Sequence, residues 1–183
     1  MHLSMVRRAA AVVLVPLAVA IGATACQPTS GPATVPYVDP ARYAGTWYEI
    51  ASVKQFFSIG LVGTTATYTV RPDGSIKVVN AGRYLTKDGL TSSITGSAVP
   101  VDATNSRLNV SFAGTPSSSG AGNYWIVDLD PAYQWAIVSD PTGKSCYLLT
   151  RTKSVPDDVR AELLARAKAK GVDTTNVTPT SQP

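Results

Sequence analysis

The stretch "YAGTWYEIASVKQFF", Tyr43 to Phe57, decides the fold, because Gly45, Thr46 and Trp47 open a run of strand-forming residues. Simple alternation predicts Trp47, Glu49 and Ala51 on one face, with Tyr48, Ile50 and Ser52 on the other. A ring as large as Trp47, sent inward near the start of a strand, needs something equally large to sit against. The run then breaks into a loop carrying Phe56 and Phe57.

Working downstream from Thr46, eight strand-like runs follow at about 46–53, 63–71, 75–82, 92–99, 106–113, 123–129, 133–139 and 145–151, rich in Val, Ile, Thr and Tyr. "RPDGS" (71–75) and "DLDPAYQ" (128–134) carry hairpin-turn chemistry. Short, evenly spaced runs with hairpin connections predict an antiparallel meander. Eight strands close an all-β, up-and-down barrel wide enough for one small ligand. Beyond the last run, "SVPDDVRAELLARAKAKG" predicts a helix over about 157–170, with Ser154 and Asp157 as a capping box and Gly171 as its stop. Val159, Leu163 and Ala167 recur every four residues beside Leu164, so one face is apolar and packs on the barrel. Arg160, Arg166, Lys168 and Lys170 form its solvated face, and the tail "TTNVTPTSQP" is expected to fray.

Upstream, residues 1–25 read as an export signal: Arg7 and Arg8, an apolar run from Ala9 to Ala23, and small residues before Cys26. The run is too short, at about 15 apolar residues against roughly 20, for a good spanning helix. "ATAC" is compatible with ordinary A-x-A cleavage and with a lipobox that makes Cys26 a lipid-attachment site; a diacylglyceryl group would then anchor the chain to a membrane. Residues 26–39, with "QPTSGPATVP", read as a flexible tether, and Asp39–Pro40 as the start of a short helical turn. The domain then runs from 40 to 183.

The formal net charge of +4 owes two arginines to the signal, and its removal leaves 14 basic against 12 acidic residues. With no basic stripe interleaved with aromatics, nucleic acid is not an expected partner. The single histidine, His2, lies in the signal, which removes Ser-His-Asp, Cys-His and His-based zinc arrangements from the exported domain. No cofactor and no metal are expected. Cys146 reads as an apolar filler on a strand.

These features, with "AGTWYEIA", "ATYTVRPDGSIKVVNAG", "LNVSF", "NYWIVDLD", "YQWAIV" and "YLLTRT" in order, resemble the lipocalins. More narrowly the chain is similar to the bacterial lipocalins of outer-membrane lipoprotein type, in the branch that includes apolipoprotein D and the plant temperature-induced lipocalins. The resemblance implies an eight-stranded calyx with the helix packed outside, and Arg151 stacked over Trp47 to close one end. It implies ligand contact from Tyr68, Val78, Asn80, Tyr124, Tyr147 and Leu149, with Tyr147 where relatives place a tryptophan. Cys146 is then expected to point outward, under the helix. The loops 52–63 and 114–122 are expected to rim the mouth.

The function so implied is an exported cell-envelope lipoprotein, in the outer membrane or on the outer face of the cell membrane, that stores or transports fatty acids or lysophospholipids. The alternatives are an enzyme acting on a hydrophobic ligand, for which Glu49 is the one interior acid, and a purely structural lipoprotein with a filled barrel.

Overall fold

A computed structural model describes residues 31–55 and 58–183; Cys26, Phe56 and Phe57 lie outside the described residues. The elements run α1 (Pro40–Tyr43), β1 (Gly45–Val53), β2 (Leu61–Val70), β3 (Ile76–Tyr84), β4 (Thr91–Pro100), β5 (Arg107–Ser111), β6 (Tyr124–Leu129), β7 (Trp135–Ser139), β8 (Tyr147–Thr150), α2 (Asp157–Ala169) and β9 (Val177–Pro179). Each of β1 to β8 pairs antiparallel with its chain neighbours, and β8 returns to β1 to close the barrel.

Two apolar clusters divide along the alternation. Trp47, Tyr68, Val78, Ala98, Leu108, Ile126, Val138 and Leu149 fill the interior. Ile50, Ala51, Trp125, Val127, Ile137, Cys146 and Leu148 face outward and pack against Leu163 and Ala167 of α2. Burying both sides of β6 to β8 explains why these strands are nearly continuously apolar.

β1 departs from simple alternation. Its pairing with β8 shifts between Glu49 and Ala51, so Ile50 and Ala51 both join the outer cluster and Ser52 sits opposite Tyr147. One extra residue in a strand turns everything beyond it to the other face. The bulge therefore corrects the predicted parity of Ala51 and Ser52.

Three local expectations change. Helix α2 begins at Asp157 with Pro156 as its N-cap and no side-chain cap, so Ser154 plays no capping role. Asp157 and Asp158 complement the exposed N–H groups of the first turn instead. Residues 31–39, composed like a tether, lie along the wall: Val35 N donates to Ile126 O at 3.0 Å, Val38 N donates to Thr104 O at 2.8 Å, and Val38 is buried. The segment 177–182, polar enough to fray, instead adds β9 to β1 and buries Thr180.

Candidate functional site: the calyx

The closed end is built from α1, the start of β1 and the end of β8. Asp39 caps α1, accepting from Ala41 N at 2.9 Å and Arg42 N at 3.3 Å, and Pro40 sets its first residue. This one turn delivers the Tyr43 carbonyl to Trp47 Nε1, which donates to it at 2.8 Å. Trp47 is fully buried, and the Arg151 guanidinium lies 3.8 Å from its ring centroid. Arg151 also donates to the carbonyls of Thr46, Arg42, Tyr43 and Ala44 at 2.8–3.1 Å and to that of Tyr133 at 3.3 Å. The planar fork of arginine is suited to gather several carbonyls at once. These are the partners that the inward tryptophan needs.

Above this plug the inward side chains become steadily more open. Tyr68, Val78 and Leu149 are almost wholly buried in the base, where a void of about 10 Å³ lies between Tyr43, Tyr68, Ile76, Leu108 and Ile126. Asn80, Tyr124 and Tyr147 face the same interior but are only half-buried. On β4 and just past β5, Ile94, paired with Asn80, is 50% exposed, and Phe112, whose ring covers Gly96, is 40% exposed. A Cβ on Gly96 would come within 2.7 Å of that ring, so glycine makes room for it. Ile94 and Phe112 carry no mark in the sequence beyond strand parity, and sequence reasoning missed both.

Three tyrosine hydroxyls meet at the boundary between base and open half. Tyr68 donates to the Tyr124 hydroxyl at 2.9 Å, and Tyr43 and Tyr124 share a hydrogen bond of 2.8 Å. Burial pushes the Tyr68 phenol up to about 12 and those of Tyr43 and Tyr124 well above their ordinary value. All three remain protonated donors at neutral pH. Tyr43 comes from α1, outside the strand pattern, and so escaped the alternation argument. Burial also raises the Tyr147 phenol to about 12, with the Glu49 carboxylate adding to the effect.

Glu49 is held by a chain-distant polar group. Its Oε1 accepts from Ser52 Oγ at 2.8 Å, Lys54 Nζ at 2.6 Å and Thr180 Oγ1 at 2.5 Å. Gln182 Nε2 donates to Glu49 O at 2.9 Å and to Thr64 O at 2.8 Å, and Gly63 N donates to Ser181 O at 2.7 Å. Direct β1–β2 pairing covers only 45–48 with 65–68, so residues 180–182 fill the gap between those strands toward the mouth. A carboxylate held as an acceptor by a lysine and two hydroxyls is an ion-pair anchor, which argues against a free general acid.

The loop 114–122 does not stand at the mouth as expected. Asn109, outward on β5, donates from Nδ2 to the carbonyls of Ser117 and Ser119 at 2.8 and 2.9 Å, which folds the loop back over the outer wall. There Thr115, Pro116 and Ser118 border an outer groove with Arg71, Ser97 and Pro100. The mouth is lower on that side, which leaves Phe112 exposed.

Among the described residues no group of His, Cys, Asp or Glu is arranged to hold a metal. Cys146 is buried in the outer cluster under α2, and burial pushes its thiol up to about 12. It lies outside the calyx and is not a poised nucleophile.

A Lipocalin-like domain model matches residues 38–182. The chain is 37% identical over 157 residues to the outer membrane lipoprotein Blc of Escherichia coli, covering 85% of this chain and 86% of that one. It is 35% identical over 147 residues to temperature-induced lipocalin-1 of Arabidopsis thaliana, covering 77% of each. Among solved structures, lobster apocrustacyanin A1 superposes with a TM-score of 0.57 at 18% identity, covering 87% of this chain and 94% of that one. The closed eight-stranded barrel, the outer helix and a domain match spanning nearly all the described residues agree: the chain belongs to the lipocalin family, a family of ligand-binding proteins and not of enzymes.

Proposed function

We propose that the protein is an envelope carrier or store that holds one single-chain lipid, a fatty acid or lysophospholipid, in its calyx. The observation that carries this reading is the gradient along the interior: inward side chains pass from buried at the base to half-exposed Asn80, Tyr124 and Tyr147 and then to exposed Ile94 and Phe112. An inward-facing apolar surface left open at one end is what an acyl chain covers. Burying roughly ten methylenes at about 0.8 kcal/mol each provides some 8 kcal/mol. Association and ordering costs offset a large share of that, so micromolar affinity is expected. Specificity among chain lengths is broad, because one methylene changes binding by only about 1–3 kcal/mol.

The envelope location is supported by the export signal, by Cys26 at its end, and by relatives named outer membrane lipoproteins. A diacylglyceryl group on Cys26 supplies the anchor in this reading. Trp47 and Arg151 act as barrel closure, and ligand contact falls mainly to Asn80, Tyr124 and Tyr147. Tyr68, Val78 and Leu149 form the floor beneath it.

Titration with a fluorescent fatty acid, followed by competition with lysophospholipid, tests the carrier. Displacement with recovery of intact lipid supports it, and consumption of the lipid points to catalysis. Replacing Cys26 with serine tests the anchor: continued membrane fractionation of the variant removes it. The packed base, with its void of about 10 Å³, favours a second reading as a structural lipoprotein. Native mass spectrometry of protein purified from its own envelope separates the two, since only the carrier brings a lipid with it.

A further inference from the structure

Asn80 lies on the inner face of β3, opposite Ala66 and Ile94, yet its Oδ1 is buried and has no hydrogen-bond partner among the described residues. An unpartnered buried amide oxygen costs stability unless something else satisfies it. The terminal torsion of asparagine is soft, so a small turn presents either end of the amide to the lumen.

Asn80 is diagonal to Tyr68 across the β2–β3 pair, because Tyr68 faces Val78 and Ala66 faces Asn80. Diagonal same-face neighbours lie within reach of long side chains. The three clustered tyrosines hold three hydroxyl protons and use two of them on one another. One donor is left over, and of the three residues only Tyr124 is half-open to the lumen. The orphan amide therefore shares the inner face with Tyr68, its diagonal neighbour, whose hydroxyl belongs to the tyrosine cluster; when Tyr43 donates to Tyr124, the spare donor is that of Tyr124.

Among the described residues, no cation is hydrogen-bonded to Asn80 or to the tyrosine hydroxyls. The charged group on the inner wall is Glu49, and its partner Lys54 is already engaged with it and with Thr180. Burying an ionised carboxylate or phosphate against Asn80 and the tyrosines, without a counter-charge, is strongly unfavourable. A hydroxyl is suited to the position, because it accepts from the phenol and donates to the amide.

We propose that the inner end of the calyx, between Asn80 and the Tyr43–Tyr124–Tyr68 hydroxyls, is a receptor for an uncharged hydroxyl on the buried end of an acyl ligand. Two sources share that chemistry: a hydroxylated acyl chain whose ionised head stays at the mouth, and an alcohol-headed lipid bound head-inward. The inference rests on the carrier reading and names the chemistry that the carrier selects.

The test is displacement of a bound fluorescent fatty acid by matched pairs: dodecanoate against 12-hydroxydodecanoate, and hexadecanoate against 16-hydroxyhexadecanoate, with 1-dodecanol as the head-inward arm. In an apolar tunnel a terminal hydroxyl weakens binding about tenfold or more, since its desolvation is not repaid. Here the hydroxy acid of fitting length should bind about 3–10-fold tighter than its parent. Asn80→Leu should reverse that order, and Tyr124→Phe should weaken the hydroxy acid relative to its parent in the same sense. Tighter binding of 1-dodecanol than of dodecanoate marks the head-inward source; tighter binding of the hydroxy acid marks the chain-borne one. Hydroxy acids weaker than their parents at both lengths, with 1-dodecanol no tighter than dodecanoate, overturn the receptor but leave the carrier standing. A preference that survives both substitutions also overturns it. If the fluorescent fatty acid itself does not bind, the carrier reading falls and this inference with it.

Discussion

The two ends of β1 are closed in contrasting ways. At its start, Trp47 is stacked under Arg151, whose five hydrogen bonds to carbonyls tie α1, β1 and the β6–β7 turn together. Toward its end, Glu49 is tied by three bonds on one carboxylate oxygen, and the gap beside β2 is filled by residues 180–182 next to the three-residue β9. Both closures use a residue far along the chain. One is stacked, deeply buried and redundant; the other is short and polar, and it borders the lumen. The difference predicts the larger loss of stability from substitutions at the first end and the larger effect on ligand access from those at the second.

The largest expected effect is Trp47→Ala, which should cost about 3–5 kcal/mol in chemical denaturation, as truncation of a buried indole does. Arg151→Ala should follow at about 2–4 kcal/mol, with little rescue by lysine, which lacks the planar fork. Ligand preference should survive both in the folded fraction. A normal melting temperature with lost binding would break the comparison by moving function to the closed end.

Tyr147→Arg reverses the pattern. Added bulk in the lumen should weaken fatty-acid affinity about tenfold or more, with stability within about 1 kcal/mol because Tyr147 is only half-buried and the Glu49 carboxylate lies near. Unchanged affinity places the ligand elsewhere.

Thr180→Val removes one hydroxyl from the Glu49–Lys54 pair and should cost about 1–2 kcal/mol in denaturant. If it costs as much as Trp47→Ala, the two closures are equivalent and the contrast fails.

The smallest effect is expected at Asp140, in the β7–β8 turn at the mouth. Burial pushes its carboxyl upward, but hydrogen bonds from Ser145 and Thr142 outweigh that and hold it below its ordinary value. A depressed folded value contributes stability above the unfolded carboxyl pKa, near 4, that is lost as pH falls through the folded value. The difference in melting temperature between wild type and Asp140→Asn should therefore be small at pH 7, begin to shrink near pH 4 and vanish only below the depressed folded value. A difference that persists at pH 2 would show that the loop depends on shape instead of charge.

Much of the barrel was legible because strands announce themselves locally. Alternation and turn chemistry marked β1 to β8, and Leu163 and Ala167 marked the helix face, whereas Val159 lies outside the packed cluster. The outward position of Cys146 followed from counting parity in "CYLLTR". Parity failed at Ile50, where a bulge that has no glycine to signal it turned Ala51 out and Ser52 in. Tyr43 was visible in the first stretch, yet its bond to Tyr124 joins residues 81 apart and has no local signature.

By itself, the sequence determined the elements, their order and the inward set on most strands, since period-two burial is written residue by residue. Tertiary structure alone decided which polar residues end as partners. Residues 31–39 and 177–182 are too polar to predict as ordered. Each is held because the barrel offers unpaired backbone groups, Ile126 O and Thr104 O to the first and the second half of β1 to the second. A hydrogen bond to a distant carbonyl costs nothing in local sequence pattern and leaves no trace there. The unpartnered Asn80 amide belongs to the same class: only the closed barrel, with its neighbours in place, reveals that nothing in the described protein satisfies it.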